Sequence, residues 1–110
     1  MLRLSGLDNF YYLPMLHDMR YKGPRLSEII RNIYHRDPLN GDIYIYMSRD
    51  RRTIRLLQYK HHVYDLHERT FSNEYRFKKV VLREGVPTYK MDWKTMMIVL
   101  ESPVIKQIRV

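Results

Sequence analysis

Residues 41–59 read GDIYIYMSRDRRTIRLLQY and decide the predicted fold of the chain. From Ile43 to Met47, isoleucine and methionine alternate with tyrosine, and this period of two is typical of a strand with two distinct faces. The polar run 49–52 is typical of a hairpin turn, and Thr53–Tyr59 predicts the antiparallel strand that follows it. An antiparallel β-hairpin is therefore the centre of the predicted structure.

Working outward from this hairpin, short polar connections on either side predict further strands. Lys60-His61 leads into Val63–Phe71, and a connection this short forces antiparallel neighbours. The Phe10-Tyr11-Tyr12-Leu13 run before Pro14 predicts a short edge strand. The remaining predicted strands are Tyr75–Leu82, Thr88–Met91 and Val104–Val110.

Two helices complete the prediction. In Arg25–Tyr34 four apolar residues follow the i, i+3, i+4, i+7 spacing of one helix face, and Asp37-Pro38 ends the pattern. Trp93–Glu101 repeats that spacing, and Asp92 is the predicted N-cap. The expected fold is α+β, an antiparallel β-meander sheet with two short-to-medium helices in a single compact domain over residues 1–110.

The composition excludes several classes of protein. The 110 residues include 20 Lys and Arg against 12 Asp and Glu, for a formal net charge of +8, and 45% are hydrophobic. This is enough apolar material for a core, so the chain is not expected to be disordered. The absence of cysteine removes disulfide scaffolds and thiol chemistry. Neither a membrane span nor a signal peptide is evident, so we expect a cytoplasmic protein.

The positive charge makes nucleic acid the first partner to consider, because a polycation attracts polyanions. Cations on a strand turn can neutralise phosphates while aromatic rings on the same sheet face stack on bases. The opposing interpretation is a solvated turn whose tyrosines lie under a helix. The candidate nucleic-acid-binding residues are Arg49, Arg51, Arg52, Arg55, Arg20, Lys79, Tyr44, Tyr46 and Tyr59.

The sequence does not favour an enzyme, a metal site or a cofactor. The aspartates fall mostly in turns, and neither a glycine-rich phosphate loop nor a His-Glu-x-x-His motif is present. His61, His62 and His67 lack a supporting carboxylate cage, and His62 and His67 point to opposite strand faces. We therefore predict a non-catalytic protein without metal or cofactor.

The order of these segments resembles a known family, the accessory proteins encoded by the second open reading frame of insertion sequences of the sixty-six group. The resemblance covers most of residues 7–71 and weakens afterwards. It implies an accessory factor for DNA transposition that acts beside a separate, larger transposase. The residues that carry it are Asp18-Met19-Arg20, Asp37-Pro38-Leu39-Asn40-Gly41-Asp42, Ile43-Tyr44-Ile45-Tyr46, Arg49, Arg51, Arg52, Ile54-Arg55-Leu56-Leu57, Val63-Tyr64 and Arg69.

Three functions follow as hypotheses. The first is an accessory protein that binds transposon DNA and assists the transposase. The second is a protein–protein adaptor for the transposase without specific DNA binding, because exposed tyrosine, methionine and arginine also favour protein interfaces. The third is a single-stranded RNA-binding module built on the aromatic sheet face.

Overall fold

The structure is a computed structural model that describes residues 8–72, 74–81, 85, 87–101 and 103–105. Its order of elements is the predicted one: a strand, a helix, a run of strands, a second helix and a final strand. Within the described residues, neither helix is long and apolar enough to cross a membrane. The elements are β1 Phe10–Tyr12, α1 Gly23–Asn32, β2 Ile43–Met47, β3 Thr53–Lys60, β4 Val63–Thr70, β5 Tyr75–Arg76, β6 Tyr89–Met91, α2 Trp93–Glu101 and β7 Val104–Ile105.

A five-stranded sheet of order β4-β3-β2-β1-β6 organises the fold. The meander β2-β3-β4 is antiparallel as predicted, with Ile45 opposite Leu56 and Leu57 opposite Leu66. A separate two-stranded sheet pairs β5 with β7. The fold is α+β, which confirms the predicted class.

Each face of the sheet is covered by a different helix. On one face, Leu26 and Ile30 of α1 pack against Tyr44 and Tyr46 in one buried cluster. On the other face, Met96 of α2 belongs to a second cluster that includes Ile43, Ile45 and Leu56. Because both faces are covered, all five residues of β2 are buried. The tyrosine face that the sequence left open is therefore a second core.

Strand β1 differs from its prediction. Phe10–Tyr12 is not at an edge; it lies between β2 and β6, parallel to β2 and antiparallel to β6. Strand β1 can run parallel to β2 because α1 and its flanking segments supply the crossover connection that parallel strands need. The composition of the strand indicated its existence, but its neighbours come from distant parts of the chain.

The predicted strand Tyr75–Leu82 is also wrong over most of its length. Only Tyr75–Arg76 forms a strand, and residues 77–81 have no regular structure. In this stretch Phe77 is 1% exposed and packs 4.4 Å from Phe71, measured between ring centroids. The backbone thus follows the burial of one aromatic ring rather than a regular strand. Residue 82 and the part of the predicted last strand beyond Ile105 lie outside the described residues.

The boundaries of α1 shift by two residues at each end, whereas those of α2 are as predicted. Helix α1 begins at Gly23, with Pro24 in its first turn, where a missing N–H leaves no helical bond unmade. It ends at Asn32, so Ile33 caps the helix and is 64% exposed instead of lying in the apolar stripe. Helix α2 has the predicted start, because the Asp92 carboxylate accepts the backbone N–H of Thr95 at 2.7 Å.

Candidate nucleic-acid interface

The β2–β3 turn, residues 48–52, is held together by its own polar groups. The Asp50 carboxylate accepts the Ser48 hydroxyl at 2.7 Å and the Arg52 backbone N–H at 3.0 Å. The Arg52 N–H, followed by the Ser48 hydroxyl, lowers the pKa of Asp50, so this carboxyl is charged at neutral pH. The backbone of the turn is therefore fixed, and the arginine side chains project from a defined loop.

Arg51 has a left-handed backbone conformation, with φ of 59°, that L-residues rarely adopt. Its backbone is held on both sides, because its N–H donates to Ser48 and its carbonyl accepts the Phe77 N–H. Burial raises the pKa of Tyr12, and the positive charge of Arg51 partly opposes this increase. The turn thus points this half-exposed arginine toward the end of β1.

A surface hollow of about 340 Å³ gathers three of the predicted cations. Arg49, Arg51 and Lys79 line it, together with the carboxylate of Asp50. Lys79 reaches this place from the irregular segment 77–81, some thirty positions further along the chain than the turn. We call this site the basic hollow. Its excess of cations over carboxylates suits an anion such as a phosphodiester.

A larger open groove of about 920 Å³ adjoins the basic hollow. It runs between α1 and the segment 15–21, and its lining includes Arg20 and Arg25. The two concavities share His17, Ser48, Arg49 and Asp50 as lining residues. Cations therefore follow one continuous concave surface from the start of α1 to Lys79.

Arg20 is fixed at the rim of the groove by Asp18. The Arg20 Nη2 lies 2.6 Å from the Asp18 Oδ2, and the Arg20 backbone N–H also donates to that carboxylate. The Arg20 side-chain hydrogen bonds are the main cause that lowers the pKa of Asp18 to about 2. With its side chain 86% exposed, Arg20 still presents donors to solvent. The pairing orients the guanidinium rather than hiding it.

Arg52 and Arg55 do not join the basic hollow, contrary to the prediction that groups them with Arg49 and Arg51. The Arg52 guanidinium donates twice to the Phe71 carbonyl, at 2.9 and 3.2 Å. The Arg55 side chain is only 12% exposed, and its Nε lies 2.7 Å from Glu68 Oε1. Both guanidiniums donate to acceptors of the protein, so they stabilise the sheet and lie outside the basic hollow.

Two of the three tyrosines of the predicted stacking surface are buried, and the third, Tyr59, is half-buried. Tyr44 and Tyr46 are each 1% exposed beneath α1, so the prediction that their rings stack on bases is wrong in this fold. Tyr59 packs against Tyr64, with ring centroids 4.8 Å apart, at the opposite end of β3 from the turn. At about 3.3 Å per residue, this end lies about 20 Å away from the turn. None of these three tyrosines therefore supplies a stacking ring at the basic hollow.

Some residues of this surface escaped the sequence analysis. His17 lines both concavities and makes a 2.9 Å hydrogen bond through Nδ1 with the Met47 carbonyl. Met15 and Ile33 line the groove and are 76% and 64% exposed. His17 and Met15 lie in the irregular segment before α1, where no periodicity assigns a face. The sequence offered one indication of this surface, the position of Ile33 at the end of the helical pattern.

The histidines do not assemble into a metal site within the described residues. No group of three or more His, Asp or Glu side chains in this part of the chain could hold a metal ion. His61 and His62 instead form the two-residue β3–β4 turn, with φ of 52° and 65°. Two successive left-handed residues are the conformation of a type I′ hairpin turn, which explains the tight connection.

The fold and the site together define a class: a small basic α+β protein with a helix on each face of its sheet and cations along one concave surface. The family model described as IS66 Orf2 like protein matches residues 8–110. The chain therefore belongs to the IS66 Orf2-like family of accessory proteins of transposition, a family not known as catalytic. This confirms the resemblance and extends it through the C-terminal third. No curated protein and no solved structure matches the chain.

Proposed function

We propose that this chain is a non-catalytic, cytoplasmic accessory factor that binds transposon DNA and assists a separate transposase. The DNA phosphates are bound at the basic hollow by Arg49, Arg51 and Lys79, and Arg20 extends the contact along the groove. The observation that carries the proposal is the convergence of three cations from two separate segments on one concavity in a member of a transposition family.

The electrostatics of the surface support this assignment. The Asp18 carboxylate is occupied by Arg20, and that of Asp50 is occupied by Ser48 and the Arg52 N–H. Both carboxylates are therefore engaged by hydrogen bonds within the β2–β3 turn and within the loop before α1. Arg49 and Lys79 are exposed, and cations of this kind gain binding free energy by releasing counterions from the phosphates.

The test is fluorescence anisotropy with two duplexes across a salt series. One duplex carries the terminal inverted repeat of the element and the other a scrambled sequence. The variant pair is Arg49→Gln/Arg51→Asn, and the charge-matched control is Arg31→Gln/Lys60→Gln, two exposed cations away from the hollow. We expect the first pair to weaken binding and to reduce the salt slope by about 2, one for each lost phosphate contact.

The control pair separates site binding from general attraction. It removes the same two charges, so a phosphate site at the hollow predicts a much smaller change in slope. Equal effects of the two pairs would contradict the site. Tighter binding of the wild-type protein to the terminal repeat than to the scrambled duplex, persisting at high salt, would show sequence readout.

The groove favours an adaptor as a second candidate function. Met15 and Ile33 are large, exposed apolar side chains that line the same groove, and exposed apolar patches mark protein interfaces. Pull-down with the transposase after nuclease treatment tests this function. Salt-resistant capture that Met15→Lys/Ile33→Lys abolishes would support it, and capture that disappears with the DNA would contradict it.

A further inference from the structure

Strand β4 leaves one long edge of the main sheet open among the described residues. It is eight residues long and pairs with β3 on one side, whereas the opposite edge strand β6 has only three residues. Its sequence, VYDLHERT, contains no proline, glycine or lysine, the residues that commonly block edge pairing. Such an edge offers a row of backbone N–H and C=O groups to another strand.

The open edge is also held in place by its neighbours. Helix α1 is in contact with β4 at Gly23, where an added Cβ would lie 2.7 Å from the Cβ of Tyr64. On the inner side, Glu68 is tied to Arg55 and Thr70 to Thr53 across the β3–β4 ladder. The strand is therefore already ordered before binding. Pairing with it costs little conformational entropy for this reason.

The charges along β4 are self-complementary in one particular register. Two copies of a strand that pair antiparallel around a twofold axis place each residue opposite one on the same face. A register centred on Asp65, on Glu68 or on Arg69 sets like charges directly opposite each other. A register centred on His67 sets Asp65 opposite Arg69 twice, once on each side of the axis.

The neighbouring register, centred on Leu66, lacks this complementarity. It sets Arg69 opposite the apolar Val63 and leaves Asp65 opposite His67. Opposite charges stabilise directly facing positions and like charges destabilise them, so the electrostatics choose the register centred on His67. A strand whose charges match a reversed copy of itself favours a second copy of the same chain over an unrelated partner.

We propose that this protein forms a homodimer through antiparallel pairing of two β4 strands centred on His67, which joins the two sheets into one. The dimer presents two basic hollows on one body, so its affinity for DNA gains from bivalency. The interface is separate from the hollow, and the proposal stands or falls independently of DNA binding.

Cysteine crosslinking tests the register, because the chain contains no cysteine and one substitution introduces the only thiol. In the proposed dimer the two copies of residue 67 face each other at a Cα separation of about 4.5–5.5 Å, which suits a disulfide. The matched control is Val63→Cys, on the same strand face and exposed, whose two copies lie about 26 Å apart. We expect His67→Cys to crosslink under mild oxidation and Val63→Cys to stay largely uncrosslinked.

A charge swap tests the pairing without any covalent bond. Asp65→Arg and Arg69→Asp each set like charges opposite one another twice per dimer, so each is expected to weaken the dimer about tenfold or more. The double variant Asp65→Arg/Arg69→Asp restores opposite charges and is expected to recover affinity. Sedimentation equilibrium at up to about 200 µM protein measures the dissociation constants, because a one-strand contact is at the small end of stable interfaces.

Two outcomes of the sedimentation experiment would overturn the proposal. One is a wild-type protein that stays monomeric throughout that concentration range. The other is a dimer whose dissociation constant is the same for the wild type, both single variants and the double variant, which would place the interface elsewhere. Circular dichroism melts of each variant confirm folding, so a lost dimer is distinguished from a lost fold. Equal crosslinking of the two cysteine variants would likewise contradict the register.

Discussion

The tip and the body of the β2–β3 hairpin both carry arginines, but the two regions use them differently. At the tip, Arg49 is exposed and Arg51 is half-exposed at the basic hollow. In the body, Arg55 is enclosed by Glu68, the Tyr46 hydroxyl and the Tyr21 carbonyl. Arg52 stands between them, with its guanidinium on the Phe71 carbonyl.

The difference comes from what surrounds each guanidinium rather than from the residue type. Burial alone would lower the pKa of Arg55, but Glu68 and Tyr46 raise it, so the side chain stays charged inside the sheet. A buried guanidinium must have acceptors, and β3–β4 pairing provides one by placing Glu68 directly opposite. In the part of the chain that the structure describes, the tip has no such cover, so its charges remain available to a ligand.

Replacing Arg55 gives the largest expected effect on stability. Arg55→Ala leaves the Tyr46 hydroxyl and the Tyr21 carbonyl without this donor, and should lower the free energy of unfolding by about 2–3 kcal/mol. Chemical denaturation measures this change. Glu68→Gln, at a side chain that is 45% exposed, should cost much less, because solvent compensates the half-exposed partner. A neutral result for Arg55→Ala would remove the distinction between the tip and the body.

Arg52 should show an intermediate effect. Arg52→Ala removes both hydrogen bonds to the Phe71 carbonyl, with an expected loss of about 1–2 kcal/mol in the free energy of unfolding. The DNA affinity of the Arg52→Ala variant, measured at a temperature where the variant is fully folded, should stay close to that of the wild type. A large drop in affinity with unchanged stability would assign Arg52 to the tip.

Arg51 should show the reverse behaviour. Arg51→Asn removes the charge while keeping a residue that tolerates a left-handed backbone, so stability should change by less than about 0.5 kcal/mol. The salt slope of DNA binding should fall by about 1. Anisotropy and thermal melts on the same preparation measure both quantities, and a destabilised variant with an unchanged slope would contradict the assignment.

The β3–β4 turn provides a second contrast with the tip, because it also has left-handed residues but does not line the hollow. His61→Asn/His62→Gly supplies the residues that a type I′ turn prefers and should raise the free energy of unfolding by about 0.5–1 kcal/mol. DNA affinity should not change. A loss of affinity in this variant would show that binding extends to the other end of the hairpin.

The smallest effect concerns the rim of the groove. The pKa of Asp18 is lowered from 3.8 to about 2 by Arg20, so the carboxyl should titrate near pH 2 in an NMR titration. Because the folded value is the lower one, the pair stabilises the fold above the unfolded pKa and is lost as the pH falls toward 2. Arg20→Gln should return the titration toward 3.8. An unchanged titration in that variant would show that another group holds the carboxylate.

Much of the local structure was already determined by the sequence. The alternation from Ile43 to Met47, the polar turn that follows and the apolar spacing in α1 and α2 are local patterns, and each corresponds to an element of the structure. The family was also recognisable, because short ordered motifs such as Asp18-Met19-Arg20 persist in the linear chain. Net charge, which is a property of composition, indicated a polyanionic partner.

Only the tertiary structure decided what each of these residues does. Alternation places Tyr44 and Tyr46 on one face, but it does not tell whether that face meets solvent or α1, since the helix arrives from another part of the chain. In the same way Lys79 joins Arg49 and Arg51 through an irregular segment that has no period, while Arg55 is withdrawn by Glu68 of the next strand. Burial and the partners of a charge depend on contacts between distant residues, and local sequence patterns do not carry that information.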